Sequence, residues 1–260
     1  MNIFDTHAHY DDDAFNEDRD ELLAALPKND VKCVINQGID IKTSKFSIEL
    51  AEKYDYIYAA VGIQPQEVYK EESLSEIEKL AGHPKVVAIG EIGLEYHYDV
   101  APHELQMDYF EKQIEIANKL NLPIVVHNRE AHADTLSILK RTPAKANGVI
   151  HCFSGSVETA KEFLKLGYFL GFDGPITFKN AKTAIEVLNY IPLDRILVET
   201  DAPYLTPMPL RGNRNNSMYI KYILEKIAEV KHISVDEVAN ITVKNSLNLF
   251  SRVDNNFTLC

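Results

Sequence analysis

Five apolar runs of this 260-residue chain each stop at side chains that can bind a metal ion. In chain order the residues at the ends of these runs are His7 and His9, Glu91, His127, His151 and Asp201. Charged and imidazole groups at the ends of buried strands cost desolvation energy unless something pairs with them. Because such groups recur at strand after strand, we interpret them as the ligands of one metal centre.

The first of these runs ends in a His-x-His pair. Residues i and i+2 of a strand project to the same face, so His7 and His9 can direct both imidazoles to one point beyond the strand end. A pair of this kind on its own is more often a surface or core feature than a ligand pair. Because four later strand ends also carry potential ligands, we favour a metal-binding role for this pair over a surface or core role.

Strand candidates alternate with amphipathic helical stretches. Strands are predicted at 2–6, 31–37, 57–63, 86–91, 123–127, 147–151, 168–172 and 195–200. The clearest helices are predicted at 103–121, 156–166, 180–190, 216–231 and 234–250. The alternation indicates a parallel sheet with right-handed crossovers. We predict an α/β (β/α)8-type TIM barrel with the metal centre at the C-terminal ends of its strands, because only a closed ring brings the ligand-bearing strands to a common centre. The alternative is an open doubly wound sheet, which would normally carry a Gly-rich phosphate turn after the first strand.

The chain reads as one domain, 1–260, with a flexible tail at 252–260. It has no low-complexity linker or solenoid-length repeat, and no apolar run approaches the ~18 residues of a membrane span. The first strand begins at once, which leaves no room for a signal peptide. We therefore expect a soluble, cytoplasmic protein with no membrane association and no obligate protein partner. Three cysteines without Cys-x-x-Cys spacing suggest neither disulfides nor a zinc knuckle.

The strand-end motifs together resemble those of the TatD family of metal-dependent deoxyribonucleases. The matching segments, in the expected order, are Asp5-Thr6-His7-Ala8-His9, Gly90-Glu91-Ile92-Gly93-Leu94-Glu95-Tyr96-His97, Val126-His127-Asn128-Arg129-Glu130-Ala131, His151-Cys152-Phe153-Ser154-Gly155, Glu199-Thr200-Asp201-Ala202-Pro203-Tyr204-Leu205 and Arg211-Gly212-Asn213-Arg214-Asn215. The resemblance spans residues 1 to about 250. It implies a distorted TIM barrel related to the amidohydrolase superfamily, two divalent metals, and hydrolysis of phosphodiester bonds in DNA.

The resemblance also implies a role for each ligand. The residues implied for the first metal are His7, His9, Glu91 and Asp201. The residues implied for the second are Glu91, His127 and His151. Glu91 would thus bridge two cations that activate a shared water and clamp a phosphate. Asp201 has a second expected role, as the base that takes the proton from that water.

The type of ligand constrains the metal. Imidazole and carboxylate groups together suit Zn, Mn, Co or Fe better than Mg, which prefers oxygen ligands and retains water. The family is generally described as Mg-dependent. We therefore expect two divalent cations, including a transition metal, and leave Mg among the alternatives.

Three positions depart from the family pattern. Gln64 stands in Gly62-Ile63-Gln64-Pro65, where the family commonly has histidine, and an amide cannot shuttle a proton at neutral pH. Glu95 stands where aspartate is usual, and we expect this longer side chain to alter only local packing. The segment 211–216 lacks the lysine and the glutamate-proline ending common in this loop, but retains its two arginines.

Candidate substrate contacts lie in the loops beside the ligands. Arg129, Arg211 and Arg214 could grip the phosphates that flank the scissile bond, because a guanidinium binds phosphate oxygens bidentately. For Arg129, a structural ion pair on its own helix is an equal alternative. Tyr96 could stack on a nucleobase, and Gln64 could hydrogen-bond a phosphate or base.

The net charge of −12 and pI near 5.2 argue against tight binding of long duplex DNA, which requires a basic face. We therefore predict transient engagement of a strand end or a short nucleic acid, in an exonuclease-like mode. Two alternatives stay open. The same metal centre could hydrolyse a small-molecule or aminoacyl ester, and a non-catalytic metal-bound barrel is the third reading.

Overall fold

The computed structural model describes residues 1–70 and 72–254. Its strands are β1 Ile3–Ala8, β2 Val31–Gln37, β3 Ile57–Val61, β4 Val86–Glu95, β5 Ile124–Arg129, β6 Gly148–Ile150, β7 Phe169–Phe172 and β8 Ile196–Val198. They form one eight-stranded sheet in which each strand pairs in parallel with the next along the chain. Beyond β8, Ala202 bridges in parallel to Ala8, and the Asp201 N–H donates to the His7 carbonyl at 2.9 Å. The predicted barrel is therefore confirmed.

Helices alternate with these strands and cover the outside of the ring. They are α1 Arg19–Ala25, α2 Ile41–Lys53, α3 Leu74–Leu80, α4 His103–Leu120, α5 His132–Arg141, α6 Val157–Lys165, α7 Lys182–Tyr190, α8 Ile220–Lys231 and α9 Val235–Leu249. Among the described helices, α2, α6 and α9 begin at a side-chain cap; at the start of α9 the Ser234 hydroxyl accepts the Glu237 N–H. The helix predicted at 216–231 begins only at Ile220, because Asn216 caps a separate 3-10 turn, Ser217–Tyr219.

The inside of the barrel is a separate apolar cluster. Val125 of β5, Val149 of β6 and Leu197 of β8 belong to it, and the side chains of α9 and the segment after it, including Phe250, join the same cluster. Side chains two residues further along a strand share its face. The period-2 rule thus places His127, His151 and Glu199 directly above this filled interior, at the C-terminal ends of the strands.

β4 runs past Glu91 to Glu95, four residues beyond its predicted end. Gly93 makes this extension possible: its φ is +141°, and a Cβ there would lie 2.0 Å from the His127 carbonyl oxygen. Any larger side chain would push β4 away from β5. The extension carries Glu95 to the level of the ligands.

The chain remains packed after α9. The Arg252 guanidinium donates to the carbonyls of Ala81, Val86 and Leu120, and Val253 is buried. The tail predicted from residue 252 is therefore wrong for 252–254, because this arginine satisfies carbonyl groups at the bottom of the barrel. Residues 255–260 of that predicted tail lie outside the described residues. None of the described helices combines the length and apolarity that crossing a membrane requires.

Candidate metal centre

Four potential ligand atoms from β1, β4 and the end of β8 face one point. The Nε2 atoms of His7 and His9 lie 3.1 Å apart. Asp201 Oδ1 is 3.6 Å from His7 Nε2 and 3.4 Å from His9 Nε2. Glu91 Oε2 is 3.6 Å and 3.8 Å from the same two nitrogens. Two imidazoles and two carboxylates converge here, as the His-x-His spacing predicted.

The other carboxylate oxygen of Glu91 faces a second group. His127 Nδ1 lies 2.7 Å from Glu91 Oε1, and His151 Nε2 lies 4.0 Å from it. The His151 ring stacks on the His7 ring with centroids 3.6 Å apart. Within the described residues, two sets have all their ligand atoms within 4.8 Å of one another: His7, His9 and Asp201, and His7, Glu91 and His151. His127 stands just outside these sets and reaches the centre through Glu91.

The carboxylates and imidazoles control each other's protonation. Burial alone would raise the pKa of Glu91, but His127 and His7 outweigh it and hold that pKa well below its ordinary value. Burial lowers the pKa of His9, but Asp201 and Glu91 raise it to about 9. His151 likewise reaches a pKa of about 10, against burial, because Glu199, Asp201 and Glu91 surround it. Cation binding at these nitrogens would therefore release protons.

The donor set fits a divalent cation. Four imidazoles with two carboxylates are the ligands that Zn, Mn, Co and Fe accept, and each group is buried or nearly so at the strand ends. The side chain of Asp201 is 17 % exposed, against 2 % for Glu91. Asp201 is thus the carboxylate of this centre that solvent and a substrate could reach.

Glu199 supports the centre from below, and sequence reasoning missed it. Its Oε1 lies 2.9 Å from His151 Nδ1 and accepts the Cys152 N–H at 2.6 Å. Gly171 of β7 makes room, since a Cβ there would lie 2.5 Å from that oxygen. A carboxylate that accepts the second N–H of a ligand histidine fixes its tautomer and orientation. The signal in the sequence was its position two residues before Asp201 on the same strand end.

Glu95 holds His127 in the same way. Its Oε2 lies 3.1 Å from His127 Nε2, and its Oε1 accepts the N–H groups of His97 at 2.7 Å and Tyr98 at 3.1 Å. The expectation that Glu95 alters only local packing is therefore wrong. The extended end of β4 lets this side chain reach both the ligand and the loop that follows.

A cavity of about 680 Å³ opens above the ligands. Its walls include Gln64, Arg129, Tyr98 and Tyr204. The Gln64 amide donates to Glu91 Oε2 at 3.3 Å, so this departure from the family pattern contacts the centre itself. The Arg129 guanidinium lies 5.0 Å from the centre of the Tyr98 ring. Gln64 and Arg129 are therefore where the sequence placed them, beside the ligands.

Three other predicted contacts lie elsewhere. Tyr96 is not among the residues that line the cavity, because its ring stacks on His103 and its hydroxyl donates to Asp134 at 2.8 Å. Tyr98, two residues on, takes the place expected for it. Arg214 is held by both Asp18 oxygens, at 2.8 and 2.6 Å, and is likewise outside the cavity lining. Arg211 also lies off the cavity, with its guanidinium 4.3 Å from the centre of the Phe178 ring.

The ring of parallel strands and its cluster of His, Glu and Asp side chains define the class of protein. It is a TIM barrel with potential metal ligands clustered at the C-terminal ends of its strands. Comparison with known families makes this more specific. The family model described as TatD related DNase matches residues 4–251. The chain belongs to this family.

Its relatives are similar over nearly their whole length. The chain is 45% identical over 251 residues to the uncharacterized metal-dependent hydrolase YabD of Bacillus subtilis, covering 95% of this chain and 98% of that protein. It is 35% identical to the uncharacterized metal-dependent hydrolase YcfH of Escherichia coli, covering 96% of both. The crystal structure of YJJV, a TatD homolog from Escherichia coli, superposes with a TM-score of 0.90 at 31% identity, covering 96% of this chain and 98% of that one.

Proposed function

We propose that this protein is a metal-dependent hydrolase that cleaves phosphodiester bonds in DNA, from a strand end, with two divalent cations at the strand-end ligands. The observation that carries the proposal is the placement of Glu91. Its Oε2 faces His7 and His9 while its Oε1 faces His127 and His151. One carboxylate with an oxygen toward each group of histidines is the arrangement that a shared bridge between two cations requires.

When bound, two divalent cations would lower the pKa of a shared water and stabilise the attacking and leaving oxygens of a phosphodiester. Asp201 would accept the proton of that water: burial raises its pKa, but His9, His151 and His7 lower it overall, so the carboxylate is ionised and able to take a proton. Its partial exposure to the cavity places it where a substrate can lie.

Arg129 would bind a phosphate next to the scissile bond. It is exposed on the cavity wall and makes no ion pair within the described range. Tyr98, against which it packs, and Tyr204 on the cavity wall offer ring faces for nucleobases. These groups recognise a few nucleotides, which agrees with a short or terminal substrate and with the overall charge of −12.

A second candidate function is hydrolysis of an ester that carries an amine, such as an aminoacyl ester. Asp11 and Asp12 line the cavity beside His9, opposite in charge to Arg129. Asp12 accepts the Tyr204 hydroxyl at 2.6 Å, so this acidic side of the mouth is ordered around one of the aromatic walls. Carboxylates at this place repel flanking phosphates and attract an ammonium group.

The deciding experiment incubates metal-reconstituted protein with end-labelled single-stranded DNA, duplex DNA, RNA and an aminoacyl ester in parallel. We expect stepwise shortening of single-stranded DNA, abolished in Glu91→Gln. The matched control is Glu130→Gln, which removes a charge from an exposed carboxylate that pairs with His97 and makes no described contact with a ligand. Ester hydrolysis without any nucleic-acid cleavage would replace the nuclease by the second candidate. Cleavage that persists in Glu91→Gln would reject both.

A further inference from the structure

We propose that a groove beside the cavity binds the phosphate backbone of a single-stranded nucleic acid whose end lies at the metal centre. The groove is lined by Ile176, Thr177, Phe178, Lys179, Lys182 and Lys226, among others, and we call it the cationic groove. The inference rests on the proposed function and extends it: it names single strands as the substrate class and gives the path by which such a strand leaves the site.

The cationic groove and the cavity share a wall. Pro175 lines the cavity, and its neighbour Ile176 lines the groove. Both belong to the 3-10 turn Gly174–Thr177, which follows β7. The Thr177 hydroxyl accepts the Met208 N–H at 2.8 Å, which fixes this turn against the loop after β8. The cavity and the groove therefore adjoin along this turn, and the proposed path of the strand runs over Pro175.

Two of the three lysines that line the groove carry unpaired charge in the described structure. Lys179 and Lys182 are exposed, and within residues 1–70 and 72–254 neither makes an ion pair. Lys226 pairs with Glu229 at 2.5 Å, and Glu186 is the acidic residue of the groove lining. In a chain of net charge −12, such a site next to the cavity is a local exception. Lys182 also begins α7, whose first turn contains no acidic residue.

One residue of the groove lining, Phe178, is aromatic and carries a cation beside its ring. Phe178 is half-buried, and the Arg211 guanidinium lies 4.3 Å from the centre of its ring. Arg211 is exposed and, in the described part of the chain, makes no ion pair, so its donors are free for a phosphate. Single-strand binding proteins combine this pattern of aromatic faces with cations along the backbone. Arg211 packs on a residue of the groove lining, so its proposed phosphate contact lies beside the groove and not in the cavity.

The test measures binding of fluorescein-labelled, phosphorothioate-linked single strands to metal-loaded protein by fluorescence anisotropy, from 50 to 200 mM salt. The variant Lys179→Gln/Lys182→Gln removes two cations from the groove. The control Lys28→Gln/Lys145→Gln removes two exposed lysines from the segments that precede β2 and β6, at the opposite end of the barrel. Net charge changes equally in both, so only the position of the charge differs.

For a 12-nucleotide strand we expect the slope of log affinity against log salt to fall by about 1.4 in the groove variant, since each lost contact with a single strand contributes about 0.7. The control should keep the parent's slope. For a dinucleotide, which is too short to extend beyond the cavity, the slope should be the same in both variants as in the parent protein. Two results would refute the proposed role of the groove. One is an equal slope for the two variants with the 12-mer, and the other is a slope that falls as much with the dinucleotide as with the 12-mer.

The two proposals fail in different ways. If the parent protein shortens unmodified DNA but the groove variant binds the 12-mer with the parent's slope, the groove is wrong and the nuclease stands. If the parent neither binds nor shortens any strand, both are wrong. Both lysines are exposed and unpaired in the described structure, so the substitutions leave the packing of the barrel intact.

Discussion

Replacing Glu95 with glutamine tests how the barrel positions His127, a candidate metal ligand. Glu95 is fully buried and receives donors on both oxygens. Oε1 accepts two backbone N–H groups, from His97 and Tyr98, and Oε2 faces His127 Nε2 at 3.1 Å and the Gln66 amide nitrogen at 3.4 Å. Glutamine has one acceptor oxygen and one donor amide. It can therefore satisfy only one of these two sides.

The backbone donors cannot turn away, so the glutamine oxygen should remain with His97 and Tyr98. Its NH2 group then faces His127 Nε2, which must become an acceptor. The proton of a neutral imidazole moves to Nδ1, the nitrogen that lies 2.7 Å from Glu91 Oε1. In that tautomer His127 has no lone pair to offer a cation at Glu91.

We expect Glu95→Gln to weaken metal binding on the His127 side by 10- to 100-fold, the usual cost of losing such a supporting carboxylate. This corresponds to about 1.4–2.8 kcal/mol. The affinity of the His7 and His9 side should stay within about twofold. Zinc competition against a chromophoric chelator measures both affinities, and ¹⁵N chemical shifts of the imidazole report the tautomer of His127.

The matched control is again Glu130→Gln, because this exposed carboxylate contacts His97 and not His127. It should bind metal like the parent protein. Parent-like affinity at both sites in Glu95→Gln, with His127 still protonated on Nε2, would refute the reasoning. A loss of equal size at both sites would show instead that Glu95 supports the fold of the strand ends and not one ligand.

Four further outcomes are expected. Glu91→Ala should lose both metals while His151→Ala chiefly weakens one, as measured by elemental analysis; equal metal content in Glu91→Ala and the parent would contradict the bridge. Metal affinity should rise between pH 6 and 9, because protons must leave His9 and His151, whose pKa values are raised to about 9 and about 10, and the competition assay should follow this rise. Gln64→His should raise DNA turnover without changing metal content; an unchanged or lower rate would show that Gln64 does not limit cleavage. Arg129→Ala should raise KM for oligonucleotides at low salt, less so at high salt, and leave a minimal ester nearly unaffected; equal losses on both substrates would mean that Arg129 only holds the cavity wall together.

Local sequence pattern predicted the barrel and the candidate ligands. Alternation of strands with amphipathic helices depends on periodicity that neighbouring residues encode, and the position of a ligand at a strand end decides which edge of the sheet it reaches. For this reason the sequence alone predicts that His7, His9, Glu91, His127 and the other candidate ligands meet at one centre.

Tertiary structure decided which loop residues reach the cavity and which carboxylates support the ligands. Arg214 was a plausible phosphate ligand by position, but it pairs with Asp18, 196 residues away. Tyr96 and Tyr98 lie close together just after β4, and the sequence does not show which of them faces the cavity. In the structure Tyr96 stacks on His103, and Tyr98 lines the cavity. Such choices depend on contacts between segments far apart in the chain, which a local pattern does not encode. The roles of Glu95 and of the cationic groove depend on contacts of the same kind. Glu95 contacts His127 of β5, and Thr177 of the groove lining contacts Met208 in the loop after β8.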